Sequence, residues 1–173
     1  MDERIKVVVA DITTLELDAI VNAADPTLMG GKGVDGAIHR VAGPRLGDYC
    51  SRLGGCPTGD AKITPGFDLP ARHVIHTVGP VWKDGSAREE ELLASCYKRS
   101  LHVAMDNGVR TLAFPAISTG AYRFPAGRAV EIAVRTVSDV IARRDEIDLV
   151  LFCCFSAAAG ELVEARLQAL ERA

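Results

Sequence analysis

The 173-residue sequence has no excess of positive charge: 20 Lys and Arg stand against 23 Asp and Glu, for a net charge of -3. It offers no broad cationic field for a polyanion such as duplex DNA, so nucleic acid is not the expected partner. Long hydrophobic runs are also missing. The apolar stretches at 7–10 and 149–155 fall far short of the roughly 20 residues that span a bilayer, and the opening Met-Asp-Glu-Arg does not read as a signal peptide. No membrane association is expected. The five cysteines are an odd number, and none sits in a C-x-x-C pair or near a suitably spaced histidine. That excludes a disulfide frame and a zinc ribbon, and the thiols read as reduced and cytoplasmic. Cys153 and Cys154 lie together in an apolar run and read as core residues. No metal and no cofactor is expected.

Nucleotide-loop and nucleophile signatures are equally scarce. No Gly-Lys-Ser or Gly-Lys-Thr occurs, which removes Walker A, and no serine occupies a G-x-S-x-G elbow. Gly31, Gly33 and Gly36 match G-x-G-x-x-G. A long polar segment separates them from the preceding strand, and no acid ends a second strand at the right distance, which argues against a Rossmann dinucleotide site.

What is present is one domain's worth of chain, 48% hydrophobic, read as a single domain over 1–173 and as a monomer. Apolar runs rich in β-branched residues recur at 5–9, 19–22, 73–78, 111–114 and 149–153, with a weaker sixth at 61–64. Several are apolar on both alternating positions, which suits strands covered by helices on both faces. Helical patterns fill the gaps at 34–42, 44–53, 89–107, from Pro125 through Ile141, and after Ser156. Ser86 and Glu89 have the spacing of a capping box for the third of these, and Gly108 stops it. The acidic run 89–91 suits the same helix start. Alternating strand and helix predict a three-layer α/β/α sandwich.

The most unusual segment runs from Asn22 to His39. It leaves a strand, passes Gly30, Gly31 and Gly33, and feeds a helix beginning near Val34. Glycines allow close backbone approach, and the free N–H groups of a helix start favour an anion. A second such loop, Pro115-Ala-Ile-Ser-Thr-Gly-Ala-Tyr122, offers the Ser118 and Thr119 hydroxyls and the Gly120 amide after another strand. Two phosphate-competent loops at strand C-terminal ends suggest a pyrophosphate. Acids flank the first loop. Asp25 has a turn reading before Pro26, and Asp35 has both a helix-start reading and a functional one. Asp11 either accepts from an exocyclic amine or ends its strand. His39 lies four residues after Asp35 and within reach of it on a helix, although packing accounts for it equally well. His73 and His76 alternate across a strand and do not form a joint metal site.

Taken with Ala10-Asp11-Ile12, Val21-Asn22-Ala23-Ala24, Cys56-Pro-Thr-Gly59, Ala61-Lys-Ile-Thr64, Val74-Ile-His-Thr-Val-Gly-Pro80 and Phe114-Pro-Ala-Ile-Ser-Thr-Gly120, these segments resemble the macro domain family, in particular its MacroD-type ADP-ribosyl hydrolases and O-acetyl-ADP-ribose deacetylases. The resemblance spans nearly the whole chain. It implies a mixed, mostly parallel six-stranded sheet and a cleft for ADP-ribose, O-acetyl-ADP-ribose or a mono-ADP-ribosylated protein. By that likeness Asp11 and the Ile12 backbone hold adenine, with Phe155 packed against it. Gly30, Gly31, Lys32, Gly33 and Val34 on one side, and Ser118, Thr119, Gly120, Ala121 and Tyr122 on the other, enclose the pyrophosphate, while Tyr122 also walls the distal ribose. Asn22 and Asp35 stand at that ribose, Asp35 orienting or activating water. Three positions depart from the family's pattern. Asp25 replaces an asparagine that normally holds the distal ribose, Lys32 replaces a glycine, and Ala10 replaces a glycine. The expected activity is removal of an ester-linked group from the distal ribose, with Asp25 as a third residue of the catalytic set. A non-catalytic ADP-ribose reader is the alternative that Asp25 supports, followed by a phosphatase acting on the 1″-phosphate.

Overall fold

Runs of branched, apolar residues gain most by burial on both faces, and the computed structural model, which describes residues 2–173, buries the central strands in this way while the edge strand at 5–9 leaves Val9 exposed. The strands are β1 Ile5–Val9, β2 Ala19–Ala23, β3 Ala61–Pro65, β4 His73–Thr77, β5 Thr111–Phe114 and β6 Leu149–Cys154. They form one sheet in the order β1-β6-β5-β2-β4-β3. All neighbours are parallel except β3, which runs antiparallel to β4. The mixed, mostly parallel α/β sandwich read from the sequence is the observed fold.

Alternation along the strands builds two cores. On one face Ile20, Val74, Ala113 and Cys153 pack with Ile38 of α1 (Gly33–Ala42) and Leu46 and Cys50 of α2 (Pro44–Cys50). On the other, Val21, Ile75, Leu112, Phe114, Val150 and Phe152 pack under α3 (Glu89–Asp106), α4 (Ala126–Ile141) and α5 (Ala157–Glu171), through residues such as Leu93, Leu101, Val137 and Leu167. The loop after β2 leads to α1 on the first face, whereas the loop after β5, its neighbour, leads to α4 on the second. Loops that diverge from adjacent parallel strands open a crevice at the strands' C-terminal edge. No helix among the described residues is long and apolar enough to cross a membrane.

Element ends differ from the sequence expectation mainly where side-chain caps decide. The expected Ser86–Glu89 box does not form. Asp84 captures both the Ser86 backbone N–H and its hydroxyl, so Ser86 closes a local turn, and Arg88 in the left-handed region (φ 63°) stands at the N-cap of α3. The Glu89 carboxylate accepts instead from Ala87 N–H at 3.3 Å. Pro125 is the residue before α4 and not within its first turn. The second short helix ends at Cys50, three residues before the expected Leu53, and gives way to turns. Ser156 does cap α5, its hydroxyl oxygen accepting from Ala159 N–H at 3.2 Å.

These two serines make a test. Ser156→Ala should cost about 1 kcal/mol of unfolding free energy, the usual value of an N-cap, whereas Ser86→Ala should stay within about 0.5 kcal/mol of the parent. Urea denaturation measures both, and a cap-sized loss at Ser86 would contradict the Asp84–Ser86 turn.

Candidate functional site

Asn22 ends the buried part of β2, and Asp35 lies in the first turn of α1 beside it. Asn22 is fully buried and Asp35 is 4% exposed. The Asn22 side-chain amide donates to Asp35 Oδ1 at 2.8 Å. Asp35 is the acid in the first turn of α1, as its helix-start reading expects, while the N-cap residue Lys32 makes no side-chain cap bond. Burial pushes the Asp35 carboxyl above its ordinary value, and the charge of Asp25 adds to that, while the Asn22 hydrogen bond and His39 oppose it. His39 does reach back along the helix: its Nε2 lies 3.5 Å from Asp35 Oδ1, an ion-pair distance but too long for a hydrogen bond.

Beneath Asn22 lies a residue whose role the sequence did not suggest. His76 of β4 pairs in register with Asn22, is fully buried, and has Nδ1 3.2 Å from the Asn22 amide nitrogen. Its Nε2 is 3.0 Å from the Thr64 hydroxyl on β3 and 3.9 Å from Cys50 Sγ. Burial, aided by His39, pushes the His76 pKa down to about 3, so the ring is neutral at physiological pH. Burial also lifts the Cys50 thiol to about 11. The fold thus gathers His39, Cys50 and His76 with ligand-type atoms within 4.8 Å of one another, which corrects the expectation that no such cluster exists. Sequence spacing does not reveal it, because the three residues come from α1, α2 and β4. Both His76 nitrogens are nevertheless engaged by Asn22 and Thr64, so neither offers a free lone pair to a metal. The detectable signal was a set of polar residues, Asn22, Thr64 and His76, at buried positions of adjacent strands, where each needs a protein partner.

The two glycine-bearing loops rise on either side. Gly30 (φ 96°) and Gly33 (φ 60°) occupy the left-handed region. A Cβ on Gly31 would lie 3.1 Å from the Asp35 carboxylate, and one on Gly36 would lie 2.4 Å from the Gly31 carbonyl, so the loop rests directly on the helix start. Lys32 is exposed at the N-cap and Val34 is half-buried. Across the crevice Ser118 is buried in the left-handed region (φ 67°), with an unpartnered hydroxyl. Its carbonyl accepts from Phe124 N–H at 2.8 Å, and the Tyr122 carbonyl accepts from Trp82 N–H at 2.8 Å, which fixes the loop carrying Thr119, Gly120 and Ala121. Burial raises the Tyr122 phenol, and the charges of Asp25 and Asp35 add to that. Asp25 Oδ1 itself accepts from Thr27 N–H, the Thr27 hydroxyl and Leu28 N–H, as its turn reading anticipates.

At the far end, Asp11 Oδ1 accepts from the Thr13 N–H at 3.0 Å and its hydroxyl at 2.7 Å, which holds the carboxyl ionised and leaves Oδ2 free. Ile12 is buried beside it. Phe155 follows β6, where Ala10 N–H bonds the Cys154 carbonyl, and is 76% exposed. The crevice therefore runs from an exposed ring and a free carboxylate oxygen, between two anion-competent loops, to a buried carboxylate. A small apolar cavity of about 40 Å³ under α4, lined in part by Pro115, Ile117 and Thr119 of the same loop, holds no charged group.

Comparison with known proteins matches residues 21–133 to the Macro domain family model. A macro domain-containing protein of Mesorhizobium japonicum is 55% identical over 98% of this chain and 97% of its own. An O-acetyl-ADP-ribose deacetylase of Escherichia fergusonii is 55% identical over 90% of each chain. A variant of the Oceanobacillus iheyensis macrodomain, solved with ADPR, superposes with a TM-score of 0.92 at 40% identity over 96% of this chain and 93% of that one.

The buried neutral imidazole sets a pH dependence. The folded His76 pKa lies below the unfolded value of 6.5, so its contribution to stability is whole above pH 6.5 and is lost as pH falls toward 3. The raised Asp35 pKa acts oppositely, its penalty being relieved on acidification. Between pH 7 and pH 5 the wild-type protein should lose about 2 kcal/mol through His76, and His76→Asn should lose correspondingly less. Urea midpoints at the two pH values decide, and parallel losses in both proteins would show that His76 is not buried neutral.

Proposed function

Because the chain belongs to the macro domain family, we propose that the crevice binds ADP-ribose and that Asp35 serves hydrolysis of an ester on the distal ribose, of O-acetyl-ADP-ribose or of ADP-ribose on acidic protein side chains. The observation that carries this reading is a buried carboxylate, held by Asn22, at the end of a crevice whose two loops present free backbone N–H groups. Adenine fits the far end, where its amine donates to the free Asp11 oxygen, the Ile12 backbone completes base recognition and Phe155 covers the ring. The pyrophosphate fits between Gly30–Val34 and Ser118–Tyr122, with the dipole of α1 favouring its charge.

Fixing both phosphates brings the distal ribose to Tyr122, Asn22 and Asp35 and turns a bimolecular hydrolysis into a positioned one. The ionised Asp35 orients a water; its proton passes to Asp35 or to a substrate phosphate as the water oxygen bonds to the ester carbonyl carbon. Collapse breaks the bond to the ribose oxygen, which regains a proton, and releases the carboxylic acid. A carboxyl pKa raised by burial makes Asp35 a stronger base than a surface aspartate, which suits this task. Five free thiols support a cytoplasmic location, and we propose that the protein acts as a monomer.

Calorimetry and turnover test the reading together. ADP-ribose should bind, with Asp11→Ala weakening it by about 1.5–3 kcal/mol, the value of a hydrogen bond to a charged acceptor. Asp35→Ala should lose most O-acetyl-ADP-ribose turnover yet still bind ADP-ribose. No binding by the wild type would remove the reading, and binding without wild-type turnover would leave a reader.

Asp25→Asn tests the departure from the family pattern. An asparagine oxygen keeps the three turn hydrogen bonds, and the substitution removes a negative charge that raises the Asp35 pKa. Turnover should rise and ADP-ribose should bind more tightly. A slower variant would make Asp25 a working acid or base.

A further inference from the structure

We propose that Thr64 and His76 are positioning residues for this site: the Thr64 hydroxyl fixes the tautomer of His76, and His76 thereby fixes which way the Asn22 amide faces Asp35. The proposal rests on the hydrolytic role given to Asp35 above. An ionised carboxylate only accepts, so the Asn22 atom 2.8 Å from Asp35 Oδ1 is the amide nitrogen. That nitrogen has two hydrogens and no lone pair to offer. The second hydrogen faces His76 Nδ1 at 3.2 Å, so Nδ1 must be the unprotonated, accepting nitrogen. A neutral imidazole then carries its proton on Nε2, and the group there to receive it is the Thr64 hydroxyl at 3.0 Å, which in turn donates to the Pro65 carbonyl at 3.1 Å. Cys50 Sγ at 3.9 Å is a weaker alternative acceptor.

Every member of this relay is buried: Thr64 is 1% exposed, and His76 and Asn22 are fully enclosed. Water cannot substitute for a missing partner there. The same polarity leaves Asn22 Oδ1, on the opposite side of the amide, as a buried acceptor with no partner in the protein. It is the atom available to a distal ribose hydroxyl. With the other His76 tautomer, Nδ1–H would face the amide and draw Oδ1 inward, and the carboxylate would lose its donor. A hydroxyl on β3 thus decides, through two intervening side chains, what the ribose and the acid meet.

The test uses the whole protein, with ADP as a probe that lacks the distal ribose. Long-range proton–nitrogen NMR correlations should show His76 as the Nε2–H tautomer in the wild type. Thr64→Val keeps the shape and removes the acceptor. It should lower kcat for O-acetyl-ADP-ribose about 10- to 100-fold, the scale of a small misplacement of reacting groups, while ADP affinity stays within about threefold. The acid limb of the kcat profile should move to higher pH, because Asp35 loses the hydrogen bond that lowers its pKa while Asp25 on the β2 loop, His39 on α1, Cys50 on α2, Tyr122 before α4 and neutral His76 on β4 still surround it. Thr64→Ser should restore rate and profile. If Thr64→Val does not fold, as loss of ADP binding would show, the comparison passes to His76→Asn, which keeps an acceptor for Asn22, against His76→Leu, which does not; only the first should retain turnover. An Nδ1–H tautomer in the wild type, wild-type kcat and pH profile in folded Thr64→Val, or equal turnover in the two His76 variants overturns the proposal. A wild type without hydrolytic activity would instead remove the function, and the tautomer measurement would still judge the relay.

Discussion

A polar side chain buried within a sheet that carries helices on both faces has no water to fall back on, and each of its donors must find an acceptor in the protein. Asn22 is held to that constraint more tightly than any other residue of the crevice. Its amide nitrogen is shared between the Asp35 carboxylate and the His76 ring, and the geometry around the buried acid follows from this one nitrogen. It ties α1 to β2 and β2 to β4. It holds a costly buried charge in place, and it leaves the amide oxygen without a partner inside the protein. Among the described residues, the Ser118 hydroxyl on the facing loop is a second buried polar atom without a hydrogen bond, and a buried polar group left unpaired is costly.

The fold was legible because its signals are local and repeated. Parallel strands buried on both faces read as continuous branched runs, and strand ends fell within a residue or so of those expected. The failures came where two local motifs competed for one group. Ser86 and Glu89 have the spacing of a capping box, but Asp84 lies two residues away from Ser86 and takes its donors first. The site was legible in part for the same reason. Gly30, Gly33, Ser118 and Asp35 announce themselves by type and by position after a strand. Thr64, His76 and Cys50 do not, because their significance lies in contacts between β3, β4 and α2 that only strand order creates.

Asp25 illustrates how a residue can satisfy one demand and strain another. Its carboxylate oxygen gathers two backbone N–H groups and a hydroxyl, closing the turn in which Leu28 adopts a left-handed conformation (φ 63°). A carboxylate is well suited to that turn. The cost falls on the neighbour, since its charge adds to the desolvation that already raises Asp35. The departure from the family pattern therefore has a structural use as well as an electrostatic consequence.

The strand order also separates the two ends of the crevice in the time course of folding. Asn22, Asp35, His39, Cys50, Thr64 and His76 come from consecutive elements, β2 to β4, whose contacts span short stretches of chain. Asp11 and Phe155 meet only because β1 pairs with β6, an association of the first strand with the last. Contacts so distant in sequence close late, since the intervening loop must lose the most entropy. On a ribosome β1 emerges first and waits for β6 to be made. The acid and its supports are thus assembled by a contiguous segment while the end proposed for adenine is still open, and that end is the last part of the crevice the chain completes.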